Sequence, residues 1–190
     1  MLNDLIAYDK ELFLFLNNLG TESWDGFWMF VTSKWSGSAP IYIFLLILTY
    51  VKLGWKKTIV VVISVAILIG VTDQFTNFFK YGVMRFRPCH DEELNGLMRL
   101  VKNSCGGKYG YFSAHAANSF ALAVFFSNLL KREVKLIWIL LLVWAAFVAY
   151  SRIYVGVHFP LDVLSGAIIG SLFGWIFVKL YIFATNKYQV

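Results

Sequence analysis

The chain has 190 residues, of which 59% are hydrophobic and 18% aromatic, and it carries a formal net charge of +6 at pH 7. Its mean hydropathy of +0.65 excludes a soluble domain of this length. The composition instead predicts a membrane protein that crosses the bilayer several times.

The first 38 residues mix apolar and charged positions. The apolar residues recur at helical spacing, and they are Leu2, Leu5, Ile6, Leu12, Phe13 and Leu16. The charged residues that interrupt them are Asp4, Asp9, Lys10 and Glu11. This pattern predicts an amphipathic helix in the membrane interface, and the acidic start argues against a cleaved signal peptide.

A cluster of aromatic residues follows this helix, at Trp24, Phe27, Trp28, Phe30 and Trp35. Large aromatic side chains concentrate at the headgroup level of membranes, so the cluster is typical of an interfacial belt. A short membrane span that ends near Thr32 is the alternative.

Long apolar segments occupy most of the remaining chain. They cover residues 40–51, 58–71, 116–130, 136–150 and 160–184, and several approach the ~20 residues that a helix needs to cross a bilayer. We therefore predict an all-α membrane helical bundle with five transmembrane helices, or six if the N-terminal segment also crosses. Residues 39–190 form the membrane domain in this interpretation, and residues 1–38 form an N-terminal interfacial segment.

Basic residues between these segments predict the orientation of the chain. One group lies between the first two segments and the other between the third and fourth, and they are Lys52, Lys56, Lys57, Lys131, Arg132 and Lys135. Under the positive-inside rule both turns face the cytoplasm. The loops at 80–112 and 151–159 then face outward, and their basic residues suit an anionic substrate.

The only two cysteines, Cys89 and Cys105, lie in the longer outer loop. An oxidising compartment permits a disulfide between them, which the chain-entropy model values at roughly 3 kcal/mol. Two unpaired thiols are the alternative.

Three polar clusters interrupt the apolar sequence on the outer side. They read Lys80-x6-Arg87-Pro88, Ser113-Ala114-His115 and Ser151-Arg152-x5-His158-x3-Asp162. In order and spacing they resemble the motifs of the type 2 phosphatidic acid phosphatase (PAP2) superfamily. The second cluster departs from the usual Pro-Ser-Gly-His, because Phe112 replaces the proline and Ala114 the glycine.

These residue types match the needs of phosphoryl transfer, which are cations that neutralise the negative charge on the equatorial oxygens, an in-line nucleophile and a proton donor. Lys80, Arg87 and Arg152 are the candidate cations, and each arginine can bind two phosphate oxygens. The Ser113 hydroxyl and the Ala114 amide lie at the start of a span, where a helix N-terminus favours anions.

The family resemblance implies a role for each remaining residue of the clusters. His158 is the nucleophile and forms a phosphohistidine intermediate, while His115 protonates the leaving oxygen and later activates water. Asp162 follows His158 by four residues and can bind one ring nitrogen from the same helix face. We predict no metal or other cofactor, because a metal bound by these three residues would lie among repelling cations.

Other polar and small residues have structural interpretations. His90 matches no motif and is interpreted as part of the loop structure, with a substrate contact as the alternative. Asp73 needs a partner inside the membrane, for which Arg85 is a candidate. The stripe of Gly166, Gly170 and Gly174 indicates close helix packing, either within one chain or between chains.

The resemblance predicts a bacterial membrane phosphatase that hydrolyses a lipid phosphomonoester or diphosphate at the outer face of the inner membrane. Undecaprenyl diphosphate is the leading candidate substrate, and phosphatidylglycerol phosphate, phosphatidate and lipid A phosphates are alternatives. A lipid carrier or scramblase that uses the basic cluster only to bind a headgroup is a hypothesis of another class. The partners are a lipid substrate and the membrane, with no nucleic acid, and the oligomeric state is left open.

Overall fold

The computed structural model describes residues 2–102 and 104–188. Within these residues seven α-helices follow one another, with no intervening sheet: α1 (Leu2–Asn18), α2 (Glu22–Thr32), α3 (Ala39–Leu53), α4 (Trp55–Val83), α5 (Ala114–Leu130), α6 (Ile137–Tyr154) and α7 (Pro160–Lys187). A π-helical turn at Lys34–Ser38 joins α2 to α3. The predicted all-α class is confirmed.

Each of the five predicted apolar segments lies within one of the helices α3 to α7, apart from residue 136 at the start of α6. Within the described residues, four stretches have the length and hydropathy to cross a membrane: Lys34–Leu53, Trp55–Val83, Ile137–Tyr154 and Pro160–Lys187. Helix α5 is apolar but has only 17 residues, which corresponds to about 26 Å against a hydrocarbon core of about 30 Å. The exact number of spans stays a prediction.

Helix α5 forms the centre of the bundle and packs against α4, α6 and α7. Its closest neighbour is α7, whose glycine stripe faces it. A Cβ atom on Gly170 would collide with the backbone of Ala117, and one on Gly174 would collide with the backbone of Ala121. The glycine stripe therefore permits close helix packing within one chain.

This close approach predicts a stability difference between two glycine substitutions. Gly170→Ala should lower the free energy of unfolding by about 1–3 kcal/mol, because the added methyl group overpacks the α5–α7 contact. Gly70→Ala on α4 is the matched control, since nothing lies within 4 Å of its Cβ position. Thermal unfolding in detergent measures both variants, and equal melting temperatures would contradict the packing role of Gly170.

Large apolar side chains on α3, α4, α6 and α7 point away from the bundle. More than half of the side chain is exposed at Ile43, Phe44, Ile47, Ile63, Ile67, Leu140, Leu164, Ile168 and Leu172. Such a surface is unstable in water but suits the hydrocarbon core of a bilayer. The outer surface of the bundle thus confirms the membrane assignment made from composition.

Helix α4 is longer than predicted. It continues from the apolar segment to Val83, so Lys80 lies in its last turn and not in the outer loop. Two threonines in this extension form hydrogen bonds within the helix: the hydroxyls of Thr72 and Thr76 each donate to the carbonyl four residues earlier at 2.8 Å. Asp73 accepts a hydrogen bond from Asn118 Nδ2 at 2.8 Å, so the predicted pairing of Asp73 with Arg85 is wrong.

The N-terminal segment contains the predicted amphipathic helix, but its buried face is partly polar. Helix α1 buries Asp9, Phe13 and Asn17 and exposes most of its apolar residues. Helix α2 has 11 residues, about 17 Å, which is too short for the alternative sixth span. The division of the chain between residues 38 and 39 stays a prediction.

Part of the predicted aromatic belt packs against the bundle. The Trp28 ring stacks on Phe147 and Tyr154 of α6, with ring centres 5.7 Å and 5.3 Å apart. Trp24 and Trp35 are exposed. The cluster therefore serves both packing and the membrane interface.

Candidate active site

The three polar clusters converge at one end of the bundle. This is the end where α4 and α6 finish and α5 and α7 begin. His158 lies within electrostatic range of Lys80, Arg87 and Arg152, and His115 lies within range of Arg152 and His158. Residues from three separate parts of the sequence thus form one site.

His158 occupies the short connection between α6 and α7 and is 2% exposed. Gly156 makes the turn with a φ of +82°, and a Cβ atom there would collide with the Arg99 backbone. Burial, followed by the positive charges of Arg152, Arg87 and Lys80, lowers the pKa of His158 well below 6.5. The imidazole is therefore neutral at pH 7, the form that a nucleophile requires.

Arg152 lies near the end of α6 and is 3% exposed. Its Nη1 donates a hydrogen bond to the Thr32 hydroxyl, which comes from the last turn of α2. Within the described part of the chain, no carboxylate forms an ion pair with Arg152 or with Lys80. A buried guanidinium without a carboxylate partner is costly unless an anion joins it, so this arrangement is typical of an anion-binding site.

Arg87 is held by the backbone of the outer loop. Its Nε donates to the Tyr109 carbonyl at 3.2 Å and its Nη1 to the Cys105 carbonyl at 2.8 Å. The Cys89–Cys105 disulfide is present and closes this loop, with the two Cα atoms 6.1 Å apart. Of the two sequence alternatives the structure has the disulfide, and the bond includes Cys105, whose carbonyl binds Arg87.

Asp162 lies in the first turn of α7 and is fully buried. Its Oδ2 accepts a hydrogen bond from the Phe159 N–H at 3.0 Å and lies 3.5 Å from His158 Nδ1. The second distance exceeds the usual hydrogen-bond range, so the predicted bond between Asp162 and the imidazole is not formed here. The carboxylate caps α7 instead and places its negative charge beside the ring.

The other oxygen of Asp162 binds Arg85, which also reaches the N-terminal helix. Arg85 Nη1 donates to Asp162 Oδ1 at 2.9 Å and Nη2 to Asp9 Oδ2 at 2.6 Å. Asp9 Oδ1 in turn accepts from the Leu161 N–H at 2.9 Å. The guanidinium carbon of Arg85 lies 4.3 Å from the centre of the Phe159 ring. Helix α1 is thereby fixed to the start of α7.

The second cluster begins α5. Ser113 is the N-cap residue, and its Oγ accepts from the Ala116 N–H at 3.5 Å, while its own N–H donates to the Asp162 carbonyl at 3.0 Å. Ala114 is the first residue of the helix, and His115 follows half-buried in the first turn. Lys34 and Lys102 extend the positive field around His115.

Phe112, which stands where the family usually has proline, is fully buried. Its ring centre lies 5.7 Å from that of Phe79 and 6.3 Å from that of Phe75, both on α4. An aromatic cluster therefore fixes the second cluster to the helix that carries Lys80.

Sequence reasoning missed the roles of Asp9, Arg85 and Thr32. Asp9 had been interpreted as a charge that interrupts an apolar stripe. Its spacing of four from Phe13, and of eight from Asn17, was the available signal that these residues share one face. Thr32 and Arg85 matched no motif position, so only the fold revealed their contacts.

The described residues contain no cluster of three or more His, Cys, Asp or Glu side chains suited to a metal ion. The prediction of metal-independent hydrolysis still requires a solution test.

Comparisons with known proteins find a matching family and several relatives. The family model described as the PAP2 superfamily matches residues 57–185. The lipid A 4'-phosphatase of Bacteroides thetaiotaomicron is 36% identical over 93% of this chain and 78% of that protein. The lipid A 4'-phosphatase of Porphyromonas gingivalis is 33% identical over 97% of this chain and 77% of that protein.

Two further proteins are similar. The undecaprenyl-diphosphatase of Sulfolobus acidocaldarius is 31% identical over 92% of this chain and 79% of that protein. The crystal structure of Aquifex aeolicus LpxE matches with a TM-score of 0.65 at 28% identity, covering 89% of this chain and 93% of that one.

Proposed function

The chain belongs to the PAP2 superfamily and is a bacterial membrane lipid phosphatase, and from this premise we propose that it removes the 4'-phosphate of lipid A. Two relatives named for that activity support the proposal, at 36% and 33% identity. The relative named as an undecaprenyl-diphosphatase is 31% identical. Undecaprenyl diphosphate, the leading candidate from sequence, is therefore not favoured and becomes the second candidate.

One observation supports the chemistry above all: a buried, neutral His158 lies among the positive charges of Lys80, Arg87 and Arg152. We propose that these cations bind the nonbridging oxygens of the substrate phosphate and neutralise the charge that develops on them. Since Nδ1 of His158 faces Asp162, Nε2 is the nitrogen that attacks phosphorus. The N–P bond forms as the bond from phosphorus to the lipid oxygen breaks.

His115 completes both halves of the proposed reaction. The negative charge of the bound phosphate offsets the surrounding positive charge, so His115 can carry the proton that it donates to the departing lipid oxygen, and its neutral form then accepts a proton from the water that attacks the phosphohistidine. Inorganic phosphate leaves and His158 returns to its neutral state. Lys34 and Lys102 add positive charge around His115, which suits a substrate that remains anionic beyond the reacting phosphate.

Asp162, Arg85 and Asp9 position the nucleophile in this proposal. The Asp162 carboxylate lies beside His158 Nδ1 and stabilises the positive charge that the ring gains when Nε2 is phosphorylated. Arg85 donates a hydrogen bond to one oxygen of Asp162. Asp9 accepts hydrogen bonds from Arg85 and from the Leu161 N–H. Asp9 thus acts through Arg85 without contacting the substrate.

Replacing Asp9 with asparagine should lower kcat about 10- to 100-fold and leave KM nearly unchanged, because Asp9 orients Asp162 through Arg85 and does not bind substrate. Steady-state phosphate release measures both constants. Glu11→Gln is the matched control, since it removes an exposed carboxylate from the same helix and should keep full activity. Partial rescue by Asp9→Glu supports a positioning role; a raised KM with normal kcat would contradict it.

A substrate panel tests the proposed function. Phosphate release is measured in detergent with EDTA on lipid A, undecaprenyl diphosphate, phosphatidate and phosphatidylglycerol phosphate. We expect the highest kcat/KM for lipid A and no loss of rate in EDTA. Faster release from undecaprenyl diphosphate would assign the second candidate, and dependence on added divalent metal would overturn the metal-free mechanism. Lipid transport by His158→Ala, without hydrolysis by the wild type, would favour the scramblase hypothesis.

A further inference from the structure

A cavity of about 610 Å³ lies at the end of the bundle opposite to the candidate active site. It opens between the α3–α4 turn, the last turns of α5 and the second half of α7. The charged residues that line it are Lys57, Lys131, Arg132, Glu133 and Lys179. Along α4, 23 residues separate Lys57 from Lys80, which corresponds to about 35 Å. The cavity and the active site therefore lie at opposite surfaces of a bilayer.

The cavity carries an excess of positive charge that the protein does not neutralise. Four cations and one carboxylate line it. Within the described residues, none of the five takes part in an ion pair. The Lys131 ammonium donates to Asn128 Oδ1 at 3.2 Å, and the Lys179 ammonium lies 5.5 Å from the centre of a Trp175 ring. An anion in the cavity would meet several unpaired donors at once.

The remaining wall of the cavity has apolar side chains beside the polar groups of Asn128, Tyr181, Thr185 and Asn186. It includes Phe125, Leu129, Trp175, Val178 and Ile182. Trp175 and Ile182 are about half exposed and belong to the surface of α7 that faces lipid. The cavity thus combines a cationic part with an apolar part that continues to the hydrocarbon region. This combination is complementary to an anionic phospholipid, which has a phosphate group and apolar chains.

The positive-inside rule alone does not account for this arrangement, because it places basic residues near span ends without grouping them around a cavity. Lys52, Lys56 and Lys135 lie at the same end of the bundle but do not line the cavity. These three residues contribute to orientation as much as the lining cations do. They therefore offer a control of equal charge.

We propose that this cavity binds the headgroup of an anionic phospholipid from the leaflet opposite to the active site. Its cations contact the phosphate, and its apolar wall contacts the first part of an acyl chain. Basic pockets between transmembrane helices bind anionic headgroups in this manner. A soluble phosphate ester has the same anionic group but lacks the acyl chains.

Native mass spectrometry of the full chain in neutral detergent tests the proposal with three probes: phosphatidylglycerol, phosphatidylcholine and soluble glycerol 1-phosphate. The cavity variant carries Lys131→Gln, Arg132→Gln and Lys179→Gln, and the control variant carries Lys52→Gln, Lys56→Gln and Lys135→Gln. Neutral detergent has no anionic surface, so only cations that contact the lipid phosphate should strengthen its binding, each about fivefold. We therefore expect about 100-fold weaker phosphatidylglycerol binding in the cavity variant and little change in the control.

Three outcomes would overturn the proposal. Equal losses in both variants would show a general attraction of anionic lipid to this end of the protein. Equal binding of phosphatidylcholine and phosphatidylglycerol by the wild type would show that the anionic headgroup is not recognised. Glycerol 1-phosphate that binds as tightly as phosphatidylglycerol, and is lost in the cavity variant, would assign the cavity to a soluble anion. Circular dichroism and gel filtration check that both variants are folded.

Discussion

His158→Ala is expected to lower kcat for lipid phosphate hydrolysis by at least about 10,000-fold, the scale on which nucleophile removal acts in hydrolases. The side chain is 2% exposed, and no other imidazole lies in the same turn between α6 and α7. The three surrounding cations can still bind substrate in this variant, so substrate affinity should change much less than kcat.

His90→Ala is the matched control for this substitution. His90 lies in the same outer region but is exposed, and its loss should leave kcat unchanged. Rapid quench with phosphate-labelled substrate should trap an acid-labile, base-stable phosphoenzyme in the wild type and in His90→Ala, and none in His158→Ala. Substantial turnover by a folded His158→Ala variant would refute the nucleophile assignment.

Asp162→Asn is expected to lower kcat by about 1,000- to 10,000-fold with little change in KM. The amide can still accept the Phe159 N–H bond, but it removes the negative charge that lies 3.5 Å from His158 Nδ1. The positive charge on a phosphorylated imidazole then loses its stabilisation. Steady-state kinetics give both constants, and trapping should show slower formation of the phosphoenzyme.

Asp25→Asn is the control that separates the specific effect of the Asp162 charge on kcat from the general effect of losing an ion pair. Asp25 pairs with Arg99 at 3.0 Å and makes no contact with His158, so its substitution should leave kcat within a few-fold of the wild type. A mainly raised KM in Asp162→Asn would assign Asp162 to binding. Similar losses in both variants would indicate that the effect of Asp162 arises from folding.

For the loop that contains Cys89 and Cys105, the sequence left open whether the two cysteines form a disulfide. Two cysteines in one loop permitted a bond but did not establish it, because pairing depends on the approach of two backbone segments. The structure brings Cys89 and Cys105 together and shows Cys105 presenting its carbonyl to Arg87. The bond therefore supports Arg87, a proposed phosphate-binding residue, which spacing alone could not indicate.

For the N-terminal helix, the sequence predicted the helix but not the residues that it buries. Its amphipathic pattern predicted an interfacial location, because hydrophobic periodicity reports which face of a helix avoids water. The pattern could not distinguish lipid from protein as the neighbour of that face. Asp9, Phe13 and Asn17 turn toward the bundle, where Asp9 holds Arg85, and most of the other apolar residues turn outward.

The sequence by itself determined the membrane class, the helical architecture, and the family motifs with the roles that they imply. These features depend on composition, on local periodicity and on the spacing of reactive residues, all of which can be read from the sequence without knowledge of the fold. Only the tertiary structure decided that Arg85 pairs with the carboxylates of Asp9 and Asp162, and that Thr32 binds Arg152. It also showed that four cations line a cavity at the end of the bundle opposite to the candidate active site. Such contacts join residues about 75 to 120 positions apart, and because the packing of whole helices sets them, no local pattern specifies them.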